Sequence, residues 1–352
     1  MVVVALAVAA DYSINLSHTS DRFWDFRTYL VAMHLADKGL DPYSLSSLRA
    51  TDPLAHFPFV YPPNIVWLFR DILAGPYEMA LRVYLVALLI ALVAIYSFQR
   101  ALLFQGSGRW IVAIALLATL GRVTFKAFLT GNIAILLYGI LAFGLWALVR
   151  GRAVYFYGAI LIASQFKFFF LSLLLVPFIL APAENFWPAS VVVAIYAVET
   201  LIIRWANPNL FASFLSTAHT QFLHEFYDEH NGLFGLASYL SGNVFGGSDV
   251  SPSAVGFTTA LYGMFATTIM LVARRCVAHE RVGYTLQMPP EVVAYLWLSA
   301  VLCFPRLGTY DLPALILPVA CLINRVVWPA AGALVVPGFV TSVLVGLYLL
   351  NP

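Results

Sequence analysis

Apolar residues run through the chain in long blocks parted by short polar segments, a pattern that predicts membrane-spanning helices rather than alternating strands. Beyond a charged stretch ending near residue 56, such blocks occupy 79–98, 109–120, 131–149, 153–164, 168–181, 187–204, 254–273, 291–304, 311–323 and 329–350. Crossing a hydrocarbon core takes about 20 helical residues, and several blocks fall short of that. The first apolar run, Val2 to Ala10, is shorter still and has no positive segment ahead of it, so it reads as a short or incomplete helix rather than a secretory signal. The expected fold is all-α, a polytopic transmembrane bundle of about 10–11 membrane helices. It is read as a single domain over 1–352 with two larger outer loops, about 11–56 and 205–253.

Composition agrees with this pattern. Hydrophobic residues make up 62% of the 352 and charged ones 10%, where soluble domains carry about a quarter charged. A net charge of +2, with no basic block, argues against a nucleic-acid surface. Cys276, Cys303 and Cys321 are scattered over apolar or membrane-edge positions without metal-ligand spacing and read as small core residues. No internal repeat and no low-complexity tract stands out.

The stretch 153–181 decides the topology. Read as one long helix, it would put Arg274, Arg275 and Arg281 on the side opposite Arg100, Arg109, Arg150 and Arg152, against the bias of basic loops toward the cytoplasm. Two short helices meeting at Gln165-Phe166-Lys167 restore the bias and bring Arg325 to the same side. The segments 11–56, 121–130, 205–253 and 305–310 then face outward. Lys167 becomes the tip of a broken helix below the membrane surface, a place where irregular backbone is tolerated only in protein or beside a cavity. An outward-facing pocket with an anionic ligand is expected there.

Within the outer loops, segment 21–50 has helical spacing, with Phe26, Tyr29, Leu30, Met33 and Leu35-Ala36 along one side, closed by Gly39-Leu40-Asp41-Pro42. It reads as a helix lying along the interface. Phe211, Phe214, Leu215, Ala218, Phe222 and Phe226 predict an amphipathic helix. Ser241-Gly242-Asn243 and Gly246-Gly247-Ser248-Asp249 predict a loop-like cover after it.

Polar residues are scarce enough here that each needs a reason. Asp25 sits among Phe23, Trp24, Phe26 and Tyr29 and suits a general base that takes a proton from an attacking hydroxyl; it equally suits a helix cap. Asp21, Asp37 and Asp41 read as solvated or turn residues. Arg122, Lys126, Lys167 and Arg306 are the outward cations available to a lipid-linked phosphate. Snorkelling or local pairing accounts better for Arg122 and Lys126, whereas Lys167 interrupts a phenylalanine run and Arg306 follows Phe304-Pro305, with Asp311 as a possible ion-pair partner. His219, His224 and His230 lie near Glu225 and Asp228, but no two of these histidines have the separation of three or four that shares a helix face, so no metal is expected. Tyr61-Pro62-Pro63 suits a helix start with prolines in its first turn, and Gly131-Asn132 opens the next span.

In their order these segments resemble glycosyltransferase family 87, membrane enzymes of the GT-C type that use polyprenol-phosphate-mannose. The first outer loop is carried by Asp25-Phe26 with Tyr29, Gly39 through Asp41-Pro42-Tyr43, and Phe59-Val60-Tyr61-Pro62-Pro63. Gly131-Asn132 is similar to that family's glycine-glutamine helix start, Phe166-Lys167 to its isolated lysine, and Pro305-Arg306 with Tyr310-Asp311 to its late outer loop. Asn132, Phe168 after Lys167, and Tyr310-Asp311 depart from the commoner glutamine, proline and tryptophan-histidine.

The resemblance implies inverting transfer of a hexose, mannose first, from a polyprenyl-phosphate sugar to a lipid or glycan acceptor, without nucleotide sugar or cofactor. Asp25 would be the base, Lys167 and Arg306 would hold the donor phosphate, and Tyr29, Tyr61, Asn132, Tyr310 and Asp311 would line the pocket. The expected setting is a bacterial plasma membrane, with lipids as surroundings and the site facing outward. A transporter or lipid flippase is the principal rival, because broken helices and intramembrane charges also mark transport pathways; an inactive scaffold of the same fold is a third reading.

Overall fold

A computed structural model describes residues 23–55, 57–72, 75–103, 128–180, 182–224, 226, 232–246, 250–280, 290–304, 311 and 314–322. Among these the chain is all-α, with fourteen helices and no strand: α1 (Trp24–Asp37), α2 (Leu45–Thr51), α3 (Pro63–Ile72), α4 (Tyr77–Leu103), α5 (Ala134–Val149), α6 (Ala153–Phe166), a 3₁₀ helix (Phe168–Leu174), α7 (Leu175–Leu180), α8 (Pro182–Ala206), α9 (Pro208–His224), α10 (Leu233–Phe245), α11 (Pro252–Glu280), α12 (Pro290–Leu302) and α13 (Ile316–Leu322). The expected spans at 109–120 and 329–350 and the run Val2 to Ala10 lie outside the described residues.

Three of these helices are long and apolar enough to cross a membrane, over Tyr77–Leu103, Ala183–Ala206 and Pro252–Val272, which marks an integral membrane protein. On α8 much of the apolar surface is uncovered by protein, including Trp187, Val191, Val198, Leu201, Ile202 and Trp205. In water such a surface would be a costly hydrophobic patch; against hydrocarbon it is the ordinary solvent-facing side.

The core is built around α4, α5 and α6, which pack in sequence order. Small residues permit the close approach. A Cβ added at Gly139 would stand 3.0 Å from the Ala91 side chain, and one at Gly144 only 2.7 Å from Ala159 Cβ. Without a hydrophobic force between helices in lipid, such close packing supplies much of the association. Gly144→Leu is therefore expected to wedge α5 from α6, at an overpacking cost of about 1–3 kcal/mol or more. Gly158→Ala on α6, where an added Cβ meets nothing within 4 Å, should gain about 0.5–1 kcal/mol of helix propensity. Thermal unfolding followed in detergent would check both; equal midpoints for the two variants would rule out a tight α5–α6 seam.

A buried polar clasp joins distant parts of this core. Gln99 Nε2 of α4 donates to the carbonyl of Ala314 at 2.8 Å, and Trp297 Nε1 of α12 donates to the same oxygen at 3.2 Å. Cys303 and Cys321 are buried, and the Cys321 Sγ lies 3.7 Å from the Leu103 carbonyl oxygen.

The stretch 153–181 is broken, as the charge bias predicts. Lys167 takes extended backbone, φ −138°, ψ 102°, between the end of α6 and the 3₁₀ helix. Two other expectations need correction. The turn-like residues Ser241-Gly242-Asn243 are helical, within α10, because that helix is held against α11: Ser238 and Ser241 are buried, and Ser241 Oγ donates to the Ala254 carbonyl. The chain turns only at Gly246, in the left-handed region at φ 88°. Likewise α1 does not rest on the bundle by a single side. Phe26, Tyr29 and Met33 are buried together with Thr28, Val31, Ala32 and Leu35, so protein covers more than one side of the helix.

Candidate functional site

The site begins with an unusual helix start. Phe23 caps α1 with left-handed backbone, φ 57°, ψ 36°, and is the one non-glycine residue with positive φ among those described. For an aromatic residue this costs about 1–3 kcal/mol and persists only when neighbours hold it. Its N–H donates to the Leu129 carbonyl at 2.8 Å, tying the start of α1 to the segment leading into α5. Phe23, not Asp25, is thus the cap residue. Asp25 lies in the first turn, where the exposed N–H ends of the helix favour a negative charge.

Opposite it the chain makes a tight turn at Gly131, φ 67°. A Cβ there would stand 3.0 Å from Phe26 Cβ, so both conformation and space call for glycine. Tyr84 donates to the Gly131 carbonyl at 2.9 Å, and the Ile133 N–H donates to the Tyr29 hydroxyl at 3.3 Å. The turn aims Asn132. Its carboxamide oxygen accepts from the Ala134 N–H at 2.9 Å, which leaves the amino group to donate to Asp25 Oδ2 at 2.8 Å. The amide cannot flip without losing both bonds, so it holds the carboxylate in one orientation.

Aromatic hydroxyls extend the arrangement. Tyr29 and Tyr61 share a hydrogen bond at 3.2 Å, and Tyr43 donates to the Tyr61 carbonyl at 2.8 Å. Burial first, then the neighbouring Tyr61 and Asp25, push the Tyr29 hydroxyl well above its ordinary range; burial and Asp41 push Tyr43 up as well. Both remain protonated phenols at any ordinary pH and serve as hydrogen-bonding groups, not bases.

A cavity of about 560 Å³ opens in front of these groups. Asp25, Asn132, Thr130, Tyr29, Tyr61, Asn64, Gln165 and Lys167 all line it. The Lys167 ammonium lies 5.8 Å from the centre of the Phe169 ring, a cation–π arrangement. Phe211, Phe214, Leu215, Ala218 and Phe222 of α9 complete an apolar wall, and Tyr196, Thr200 and Ile203 come from the membrane-length helix α8. The volume lies within the range of small-molecule sites, about 300–1,000 Å³. Apolar walls with a few fixed polar groups suit a ligand with a hydrocarbon part and a polar head.

No protein-family model, curated protein or solved structure matches this chain.

Of the residues singled out in the sequence, the structure brings Asp25, Tyr29, Tyr61, Asn132 and Lys167 to one cavity from four separate segments. Asp311 is buried, but not in the wall of this cavity. Arg122, Lys126, Arg306 and Tyr310 lie outside the described residues. Among the described residues no group of three or more His, Cys, Asp or Glu comes together as a metal site. Asn64, Gln165 and Thr200 are wall residues that the sequence reading passed over. Gln165 had a signal, lying beside Lys167 at the helix break; Asn64 had only its place after Pro62-Pro63.

Proposed function

We propose that this chain is a membrane glycosyltransferase with a GT-C-like bundle. It moves a hexose, mannose first, from a polyprenyl-phosphate sugar to a hydroxyl of a lipid or glycan acceptor. The observation that carries the proposal is the cavity shared by an oriented carboxylate, Asp25, and a lysine at a helix break, Lys167. Each is the kind of group that the two ends of this reaction require.

In the proposed step the acceptor oxygen attacks the anomeric carbon while its proton passes to the Asp25 carboxylate. The bond between that carbon and the phosphate oxygen breaks, and polyprenyl phosphate leaves with the electron pair. Attack from the face opposite the leaving phosphate inverts the anomeric centre. Lys167 stabilises the charge that grows on the phosphate as the bond lengthens, an electrostatic contribution strengthened by exclusion of water. Asn132 keeps Asp25 aimed. The partly uncovered helix α8 gives the prenyl tail a path along the lipid, and the apolar α9 wall gives it a surface. The site would face outward, in a bacterial plasma membrane.

The test is transfer from radiolabelled polyprenyl-phosphate-mannose to a host lipid extract by purified protein. A labelled product that is no longer free donor is the expected result. Absence of product with this and other lipid-linked hexoses, from protein with a cooperative thermal transition, would exclude the proposal. The helix break beside a cavity also supports a transporter reading; it predicts movement of the lipid-linked sugar across vesicle membranes with its glycosidic bond intact.

A further inference from the structure

Glu199 has no part in the step just described, yet it sits on α8, one of the helices long and apolar enough to cross a membrane. An ionisable side chain in such a helix is costly and is kept where it serves a site. Its carboxylate accepts a hydrogen bond from Gln165 Nε2. The Gln165 Oε1 in turn accepts from Asn64 Nδ2 at 3.0 Å. Three side chains from α8, α6 and α3 thus form one polar string, of which Asn64 and Gln165 stand in the cavity wall and Glu199 does not.

The string has a direction. With its amino group on Glu199 and its oxygen on the Asn64 amino group, the Gln165 carboxamide is engaged at both ends. Asn64 must then offer its amino group to Gln165, which fixes its own carbonyl oxygen on the other side. That oxygen, Asn64 Oδ1, is buried and accepts no hydrogen bond among the described residues. Buried acceptors are ordinarily satisfied, and because Asn64 is a residue of the cavity wall, a small shift of its side chain would bring this oxygen to a donor from outside the protein. A hydroxyl supplies one. Glu199 in this way sets the polarity of an atom with which it has no contact.

We infer that Asn64 and Gln165 bind a hydroxyl of the transferred sugar, and that Glu199 is the positioning residue that orients their amides. The inference rests on the glycosyltransferase reading: with Lys167, two residues beyond Gln165, on the donor phosphate, the hydroxyl-bearing group nearest this string is the donor sugar. It adds a sugar-recognition subsite to the base and phosphate groups named above.

The experiment compares binding of two probes to the full chain in lipid nanodiscs: polyprenyl-phosphate-mannose, and the same polyprenyl phosphate without the sugar. Wild type is expected to prefer the sugar-bearing lipid. Asn64→Leu and Glu199→Leu should each weaken binding of the sugar-bearing lipid by about tenfold or more, with the bare lipid little changed. Glu199→Gln, whose carboxamide oxygen can still accept from Gln165, should stay within about threefold of wild type. Retained binding of the bare lipid also shows that the variant cavity is folded.

A wild type that binds both probes equally overturns the inference and leaves the glycosyltransferase reading standing. So does a wild-type preference that survives in both leucine variants, or a loss equal for the two probes in both variants. Folded wild type that binds neither lipid overturns the reading itself, and the subsite with it.

Discussion

Asp25→Asn is expected to lower the turnover of sugar transfer by about 10²–10⁴-fold, the usual contribution of a positioned general base. The substitution is nearly isosteric, and the new carboxamide oxygen can still accept from Asn132 Nδ2, the bond seen at 2.8 Å with the carboxylate. The thermal midpoint and the donor affinity should therefore stay close to wild type, because neither depends on taking up a proton. What is lost is the acceptor for the proton of the attacking hydroxyl. Initial rates at saturating donor, together with a melting curve, would test this; undiminished turnover would remove Asp25 as the base. A variant that melts early would show instead that the carboxylate is needed to hold the start of α1.

The second large effect is expected at Lys167 and should fall on the donor. Lys167→Met keeps an apolar stem near Phe169 and removes the ammonium. A charge-assisted hydrogen bond to phosphate is worth about 1.5–3 kcal/mol, so donor affinity should fall roughly ten- to hundredfold. The apparent affinity for the acceptor should hardly move. Because the charge on the phosphate rises as its bond to the sugar breaks, turnover should fall too. Titrating donor and acceptor separately distinguishes this from a general loss of fold, which would weaken both. Unchanged donor affinity would release Lys167 from the phosphate.

Much of the framework was legible because membrane proteins separate their vocabularies sharply. In an apolar chain one lysine inside Phe166-Lys167-Phe168-Phe169-Phe170 cannot be filler, and the helix does break there. The prolines at the start of α3 and the glycine before α5 marked their elements for the reasons that their backbones impose. Local chemistry misled at Ser241-Gly242-Asn243, whose turn-forming residues are small enough to let α10 lie against α11; tertiary packing decided the conformation. That Asp25 is not the cap of α1 depended on one backbone angle, the left-handed turn at Phe23, which no residue type announces.

The Asn64–Gln165–Glu199 string was harder still to see, since its members are far apart in sequence and each is individually ordinary. The visible sign was Glu199 alone, a single acid late in an apolar span. Its partner could be found only by folding α6 against α8. Likewise the aromatic spacing of α9 announced an amphipathic helix, but not that its apolar side would wall the cavity.

The bond between Asn132 and Asp25 spans 107 residues of chain. At about 5–20 residues per second of synthesis, the carboxylate leaves the ribosome roughly 5–20 s before the amide that aims it. Asn64 waits a similar time for Gln165, 101 residues behind. Closing such loops is slow and entropically costly, so these contacts belong to the late stages of assembly. During biogenesis the segment that carries Asp25 must therefore wait with its strained start unsupported and its acid unaimed. The pocket comes into being only after the following helices have been inserted, and a chain halted before residue 132 would carry the acid without the geometry.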